Sequence, residues 1–280
     1  MKLYQKANAK INLTLNVVGK RSDGYHDLKM IMAPINLYDD IIIEESTCDE
    51  VVCDVAELSG ENNIVFKTIQ LLKDIFDINS NVKISIIKKI PVGGGLGGGS
   101  ADCAAALRGL NIYWNLQLNL DELALIGVKL GADVPFCIYN KSAVVTGVGE
   151  KIKFIEGINS YILLVIPGET ISTKEVFLNT SIIEFKNISL DHHMKRIREN
   201  DIEKLKMILF NDLQEVTLKI SSRCNSVYQR LLKVDTNFIM TGSGSVFYSI
   251  YPEKGELERV NRILKSEGFE TIVSTINKNS

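Results

Sequence analysis

Pro91-Val92-Gly93-Gly94-Gly95-Leu96-Gly97-Gly98-Gly99-Ser100-Ala101 decides how this chain is read. Six of the chain's 20 glycines stand in the seven positions 93–99. Glycine loses more backbone freedom on folding than any other residue, so this concentration requires a structural purpose. The β-rich run Val82–Ile87 leads through Ile90-Pro91 into the glycines. Ser100 then begins a helix through Ala101, Ala104, Ala105, Ala106, Leu107 and Leu110. A strand ending in glycine-rich backbone ahead of a helix offers unpaired N–H groups and the positive end of the helix dipole. Phosphates suit that arrangement best. Pro91 through Ala101 are therefore the candidate phosphate-binding residues, with the Ser100 hydroxyl as an added donor. A merely flexible loop would mix Ser and polar residues and would not join a strand to a helix.

Three known phosphate loops are poor matches. A P-loop needs lysine between glycine and Ser/Thr, and Gly99-Ser100 has none. Gly93, Gly95 and Gly98 fit GxGxxG, but a dinucleotide site also needs a strand ending in Asp or Glu about 20 residues on. Residues 111–130 read as helical instead. The protein-kinase HRD and DFG sets are missing as well. A phosphate loop of small-molecule kinase type remains.

Toward the N-terminus, Lys6–Val17 alternates strictly. Ala7, Ala9, Ile11, Leu13, Leu15 and Val17 share one face, and Lys6, Asn8, Lys10, Asn12, Thr14 and Asn16 share the other. The pattern predicts a half-buried strand. Asn is a poor strand former, so three of them around Lys10 suggest amides and an amine presented to a polar ligand. A solvated sheet face is the plainer alternative. Short strands are expected at Ile41–Glu44 and Val51–Cys53, and a helix over residues 64–76. Asn119 and Glu122 have capping-box spacing for another helix, which Gly131 would end. A first domain is expected at 1–157 and a second at 158–280. The second opens with the strand Tyr161–Ile166. Helical segments follow at Thr173–Leu178, Met194–Leu209 and Leu213–Leu232, with strands Val246–Tyr251 and Thr271–Thr275 around a helix Gly255–Ser266. Strands and helices mix without regular βαβ alternation, which predicts α+β.

The composition sets bounds. A chain of 280 residues suits about two domains. Its 45% hydrophobic and 24% charged content is that of a globular protein. A net charge of −2 argues against a nucleic-acid binder. No apolar run approaches the ~20 residues of a membrane span. The first residues, Met1-Lys2-Leu3-Tyr4-Gln5-Lys6, carry no apolar signal segment. Five scattered cysteines without CxxC suit a reducing compartment, and with three histidines they supply no zinc set. The expectation is a cytoplasmic protein without nucleic-acid or membrane partners. Asp191-His192-His193 reads as a solvated loop or helix start, and Trp114 as core.

The residues also carry a resemblance. Pro91–Ala101 is similar to the ATP-binding signature of the galactokinase, homoserine kinase, mevalonate kinase and phosphomevalonate kinase superfamily. Within it, Ala9-Lys10-Ile11-Asn12-Leu13 and Asp23-Gly24-Tyr25-His26 resemble the 4-diphosphocytidyl-2-C-methyl-D-erythritol kinase family. Leu130-Gly131-Ala132-Asp133-Val134-Pro135-Phe136, Gly147–Glu150, Ser172-Thr173, Asn211-Asp212 and Thr241–Gly244 match in the same order. The resemblance implies a two-domain α+β small-molecule kinase with its active site in the interdomain cleft. It implies ATP-dependent phosphorylation of the 2-hydroxyl of the methylerythritol unit, in non-mevalonate isoprenoid biosynthesis.

The resemblance also assigns residues. Lys10 and Asp133 become the catalytic pair: Asp133 orients or accepts the hydroxyl proton, and Lys10 stabilises phosphoryl charge. Tyr25 and His26 fall in the segment that recognises cytidine; Asp23-Gly24 is also strong turn chemistry. Asn12 and Thr241 are assigned to the substrate. Mg2+ is expected with ATP; no acidic ligand is identifiable, and Ser100 is the candidate side chain. A monomer or weak homodimer is expected. The alternatives are a homoserine kinase-like enzyme, an inactive nucleotide-binding regulator, or a nucleic-acid-binding module, which the acidic balance disfavours.

Overall fold

The computed structural model describes residues 2–278. In chain order its elements begin β1 (Leu3–Lys20), β2 (His26–Glu45), β3 (Glu50–Cys53), α1 (Ile64–Phe76), β4 (Val82–Ile87), α2 (Gly98–Tyr113), α3 (Leu120–Gly127) and α4 (Val134–Tyr139). There follow β5 (Ala143–Gly147), β6 (Lys151–Phe154), β7 (Ser160–Ile166), α5 (Thr173–Leu178), α6 (Asp191–Glu199), α7 (Ile202–Lys206) and β8 (Phe210–Asn211). The last are α8 (Asp212–Ile220), α9 (Ser222–Leu231), β9 (Ile239–Met240), β10 (Phe247–Tyr251), α10 (Lys254–Ser266) and β11 (Glu270–Ile276). This is the α+β mixture read from the sequence. No helix among the described residues is long and apolar enough to cross a membrane.

Two compact units result, both discontinuous in sequence. The first comprises Met1–Ala9, Leu37–Ile90 and Gly97–Asn140; the second comprises Lys10–Asn36, Pro91–Leu96 and Lys141–Ser280. β1 and β2 therefore give one half to each.

In the first unit, the later half of β2 pairs antiparallel with β4, from Asp40 opposite Ile87 to Glu45 opposite Val82. β3 pairs parallel with β4. Ile41, Ile43, Val82, Ile84 and Ile86 alternate into the core, as a period of two requires. α1 begins at Asn63, whose side chain accepts from Val65 N, and buries Val65, Thr68, Ile69 and Leu72 at helical spacing. Each of those aliphatic side chains contributes about 2 kcal/mol by leaving water. α2 is buried on almost every side; its alanines keep it thin enough for α1, α3 and α4 to pack around it. α3 carries the anticipated Asn119/Glu122 capping box but stops at Gly127, not at Gly131. A Cβ on Gly127 would stand 2.8 Å from Val134 and 2.9 Å from Ile138, so this glycine lets α4 cross closely. α4 itself was not foreseen, because six residues are too few to show a period.

In the second unit, the early half of β2 pairs antiparallel with β5, and β5 with β6. The later half of β1 pairs parallel with β8. A second, antiparallel sheet runs in the order β11-β7-β10-β9. α10 buries Leu257, Val260 and Leu264. The helix expected over 194–209 is two, α6 and α7, parted at Asn200, which is left-handed with φ 50°. The one expected over 213–232 is likewise two, α8 and α9. Ser221 turns extended between them, and its hydroxyl caps Cys224 N.

The half-buried reading of β1 requires correction. Lys10, Asn12, Thr14 and Asn16 are only 4%, 1%, 0% and 0% exposed, so both faces of the strand are interior there. Buried polar groups must be bonded, and distant segments supply the partners. Thr14 Oγ1 accepts from Ile31 N at 3.0 Å. Asn16 Nδ2 donates to Asp212 Oδ2 at 2.7 Å, and its Oδ1 accepts from Ile188 N at 3.0 Å. Alternation alone cannot tell a solvated polar face from a bonded one.

Candidate active site

The glycine loop alternates its handedness. Gly93, Gly95 and Gly97 have φ of 68°, 76° and 71°, a conformation costly for any residue with a Cβ. Gly95 also needs its bare Cα for space: a Cβ there would lie 2.2 Å from Thr241 O. Gly97 is the left-handed N-cap of α2, which starts at Gly98, two residues earlier than Ser100. No side chain caps α2, whereas side chains do cap α1, α3, α5 and α8. The first amides of a 16-residue helix thus stay available to an external acceptor. Val92, Gly93 and Gly99 are exposed, and Leu96 is buried as the loop's anchor.

In the second unit, the loop's first half, β1 and the turn after β9 form one network. Lys10 N donates to Leu96 O at 3.0 Å. The Lys10 ammonium donates to Gly95 O and to Asn12 Oδ1, both at 2.9 Å. Asn12 Oδ1 also accepts from Gly242 N at 3.1 Å, and Asn12 N donates to Thr241 Oγ1 at 3.1 Å. Tyr248 OH donates to Asn12 O at 2.7 Å. Asn211 Nδ2 closes the turn with bonds to Met240 O and Gly242 O, each 2.8 Å. Lys10, Asn12, Thr241 and Gly95 are thereby brought together. An amine held to the backbone of an anion-binding loop can neutralise charge where a phosphoryl group moves.

The first unit holds Gly97–Ala101 and Asp133. Asp133 stands at the N-cap of α4, yet its side chain makes no capping bond, so the plain capping role is not the one it plays. Its neighbour Gly131 borders the mouth of α2: a Cβ there would lie 3.9 Å from Ser100 Oγ.

Below that mouth is a buried charge cluster that sequence reasoning missed. The Lys88 ammonium donates to Asp39 Oδ2 at 2.5 Å and to Asp102 Oδ2 at 2.7 Å. Asp39 Oδ1 further accepts from Ile90 N at 2.8 Å. Asp102 Oδ1, by contrast, has no hydrogen-bond partner among the described residues. Burial lifts the Asp102 carboxyl well above the usual carboxylate range; Lys88 opposes this and Asp39 adds to it. The available signal was a single acid inside the alanine-rich run Ala101–Leu107.

Tyr25 and His26 lie in the second unit. Tyr25 is 66% exposed, an open ring, while His26 is buried at 6%. His26 packs on Phe177 with ring centroids 5.1 Å apart and on Phe185 at 6.1 Å. Its Nε2 shares a 2.8 Å hydrogen bond with Thr180 Oγ1. Burial, with the Lys20 charge, pulls His26 below its ordinary value and favours a neutral ring. Phe177 and Phe185 were not foreseen; nothing in their local sequence separates them from core aromatics. An aromatic cluster beside an exposed tyrosine suits a planar base.

No group of three or more His, Cys, Asp or Glu among the described residues is arranged to hold a metal ion. A cation carried by nucleotide phosphates needs few protein ligands.

Comparison with known proteins agrees with this geometry. Residues 63–141 match the GHMP kinases N terminal domain. A 4-diphosphocytidyl-2-C-methyl-D-erythritol kinase of a Geobacillus species is 38% identical over 265 residues, covering 93% of this chain and 92% of the relative. The Clostridioides difficile protein of that name is 38% identical over 256 residues, covering 89% and 86%. Among solved structures, a 4-(cytidine 5'-diphospho)-2C-methyl-D-erythritol kinase superposes with TM-score 0.83 at 24% identity, covering 98% of this chain and 99% of that one. Homoserine kinase from Cytophaga hutchinsonii superposes with TM-score 0.73 at 16% identity, covering 99% and 95%. At these identities the two superpositions speak for the fold. The near full-length relatives speak for more: this chain belongs to the 4-diphosphocytidyl-2-C-methyl-D-erythritol kinase family of the GHMP kinases.

Proposed function

We propose that this chain transfers the γ-phosphoryl group of ATP to the 2-hydroxyl of 4-diphosphocytidyl-2-C-methyl-D-erythritol, a step of non-mevalonate isoprenoid biosynthesis. The observation that carries the reading is the Lys10 ammonium bonded at once to the glycine-loop carbonyl of Gly95 and to Asn12. Family membership gives the reaction class.

Phosphoryl transfer is mostly positioning and charge stabilisation. The amides of residues 93–101 cradle the nucleotide phosphates, and Lys10 stabilises charge on the transferring group. Asp133 accepts the proton of the substrate hydroxyl. Asn12 and Thr241 contact the alcohol. Tyr25 stacks on the cytosine ring, and His26, fixed by Phe177 and Thr180, reads its polar edge. Bound with the nucleotide, Mg2+ would supply neutralisation of phosphate charge, with the Ser100 hydroxyl as the side chain placed to hold it. The enzyme works in the cytoplasm as a monomer or weak homodimer, without nucleic-acid or membrane partners.

A homoserine kinase-like reading shares the glycine loop and the fold, but it leaves the exposed Tyr25 and the His26–Phe177–Phe185 cluster without a task. An inactive regulator would have no use for the Lys10–Asn12 bond. ADP release with the cytidylyl methylerythritol, homoserine, mevalonate and galactose as acceptors separates these readings. Turnover is expected with the first alone. Release with homoserine in its place, or with none, overturns the proposal.

A further inference from the structure

α4 is a six-residue helix, too short to persist without outside support. Its last carbonyls are served from α2. Arg108 Nη1 donates to Cys137 O at 2.8 Å and to Ile138 O at 3.3 Å, and Nη2 donates to Lys6 O at 3.0 Å. The guanidinium therefore binds the C-terminal end of α4, where a cation also suits the helix dipole. With its other arm it grips β1, four residues before Lys10 in the chain. Three segments of the first unit meet on this one side chain. They are the helix headed by the glycine loop, the helix headed by Asp133, and the strand that continues to Lys10.

The chemistry calls for arginine. Burial works against the charge, lowering the Arg108 value from its ordinary one, yet guanidinium stays protonated. Its planar fork reaches carbonyls on two separate elements at once, which an ammonium on a flexible stem does not reproduce. Gly127 and Gly131 press α4 and its approach against α2 and α3, so the helix is held from the side. At its C-terminal end Arg108 takes two of its carbonyls, while the Tyr139 hydroxyl donates to Asp121 Oδ1 at 2.6 Å.

We propose that Arg108 is a positioning residue for phosphoryl transfer, fixing α4, and with it the Asp133 carboxylate, in register with the mouth of α2. The inference rests on the reading of Asp133 as the catalytic carboxylate. Displacing a reacting group by even about 1 Å costs about a hundredfold in rate. The effect of losing the fork therefore falls on kcat and leaves ground-state binding of both substrates largely alone.

The test uses steady-state kinetics with ATP and the cytidylyl methylerythritol on purified full-length variants. Arg108→Lys should lower kcat by about ten- to a hundredfold, with both KM values within about threefold and little change in Tm. Arg108→Ala should lose more, and millimolar guanidinium should restore part of its kcat. Wild-type kcat in Arg108→Lys overturns the proposal. So does guanidinium that raises the Tm of Arg108→Ala without raising its rate. If Arg108→Ala does not fold, Arg108→Lys decides alone. Asp133→Asn serves as the control. Full activity there overturns the reading of Asp133 and this inference together; an inactive Asp133→Asn beside a fully active Arg108→Lys overturns the positioning role only.

Discussion

The Lys10 ammonium donates to the Gly95 carbonyl oxygen at 2.9 Å, so the amine is tied to the backbone of the glycine loop proposed to hold phosphate. The bond fixes both partners. It holds the charge at the loop, and it gives a half-buried carbonyl a donor.

Lys10→Met should therefore act twice. Keeping the stem while removing the ammonium leaves Gly95 O without its best donor, at a cost of about 1–3 kcal/mol in denaturant unfolding. kcat should drop at least about a hundredfold, because stabilisation of developing charge is lost. A variant with wild-type kcat would remove Lys10 from the reaction.

Asp133→Asn should behave differently. The side chain does not cap α4, so a near-isosteric amide leaves that helix in place. kcat should fall by about two to four powers of ten as the proton acceptor disappears. The contrast between a retained fold and a collapsed rate is the diagnostic result.

Two glycines of the loop should respond in opposite ways to alanine. Gly95→Ala places a Cβ 2.2 Å from Thr241 O at a left-handed φ, and more than about 3 kcal/mol of stability should be lost. Gly99 has nothing within 4 Å of a built Cβ and lies in the first turn of α2. Gly99→Ala should raise stability by about 0.5–1 kcal/mol in the same assay. It should also raise the KM for ATP, since the new methyl occupies the mouth offered to phosphate.

Tyr25→Ala should raise the KM for the cytidylyl substrate about tenfold, in line with the worth of base–aromatic stacking, and leave the KM for ATP near wild type. The ring is 66% exposed, so its removal costs the fold little. Equal changes in both KM values would count against stacking on the base.

Acid should weaken the protein through His193. Its Nε2 donates to Ile208 O at 2.6 Å, and Nδ1 is buried without a partner among the described residues. Burial holds the ring below its ordinary value of 6.5, so the folded state favours the neutral form. The unfolded chain takes up the proton first. Stability is thus full above pH 6.5 and is lost as the pH falls toward the lower folded value. Thermal melts between neutral and mildly acid pH should show the decline, and His193→Gln should flatten it.

Much of this was legible in the residues because local chemistry agreed with tertiary context. Asn119 and Glu122 announced their capping box, and Ile64–Phe76 kept one apolar stripe. Other features depended on partners far away in sequence. The polar face of β1 looked like a surface until Ile31, Ile188, Asp212 and Gly242 supplied its bonds. The Lys88–Asp39–Asp102 cluster and the three bonds of Arg108 join segments tens of residues apart, which no local pattern encodes. Pro34 hid the length of β2, since proline inside a run argues against a strand.

The shared ownership of β1 and β2 bears on how the polypeptide is made. Lys10–Asn36 leaves the ribosome well ahead of Lys141–Ser280, yet the two belong to one unit. More than a hundred residues must be translated before those strands find their companions. Until then Ile11, Leu13, Leu15 and Met30–Ala33 are oily backbone with open edges, the kind of surface that aggregates or recruits chaperones. Truncation after the first unit, which removes Lys141–Ser280, should drive the chain into inclusion bodies.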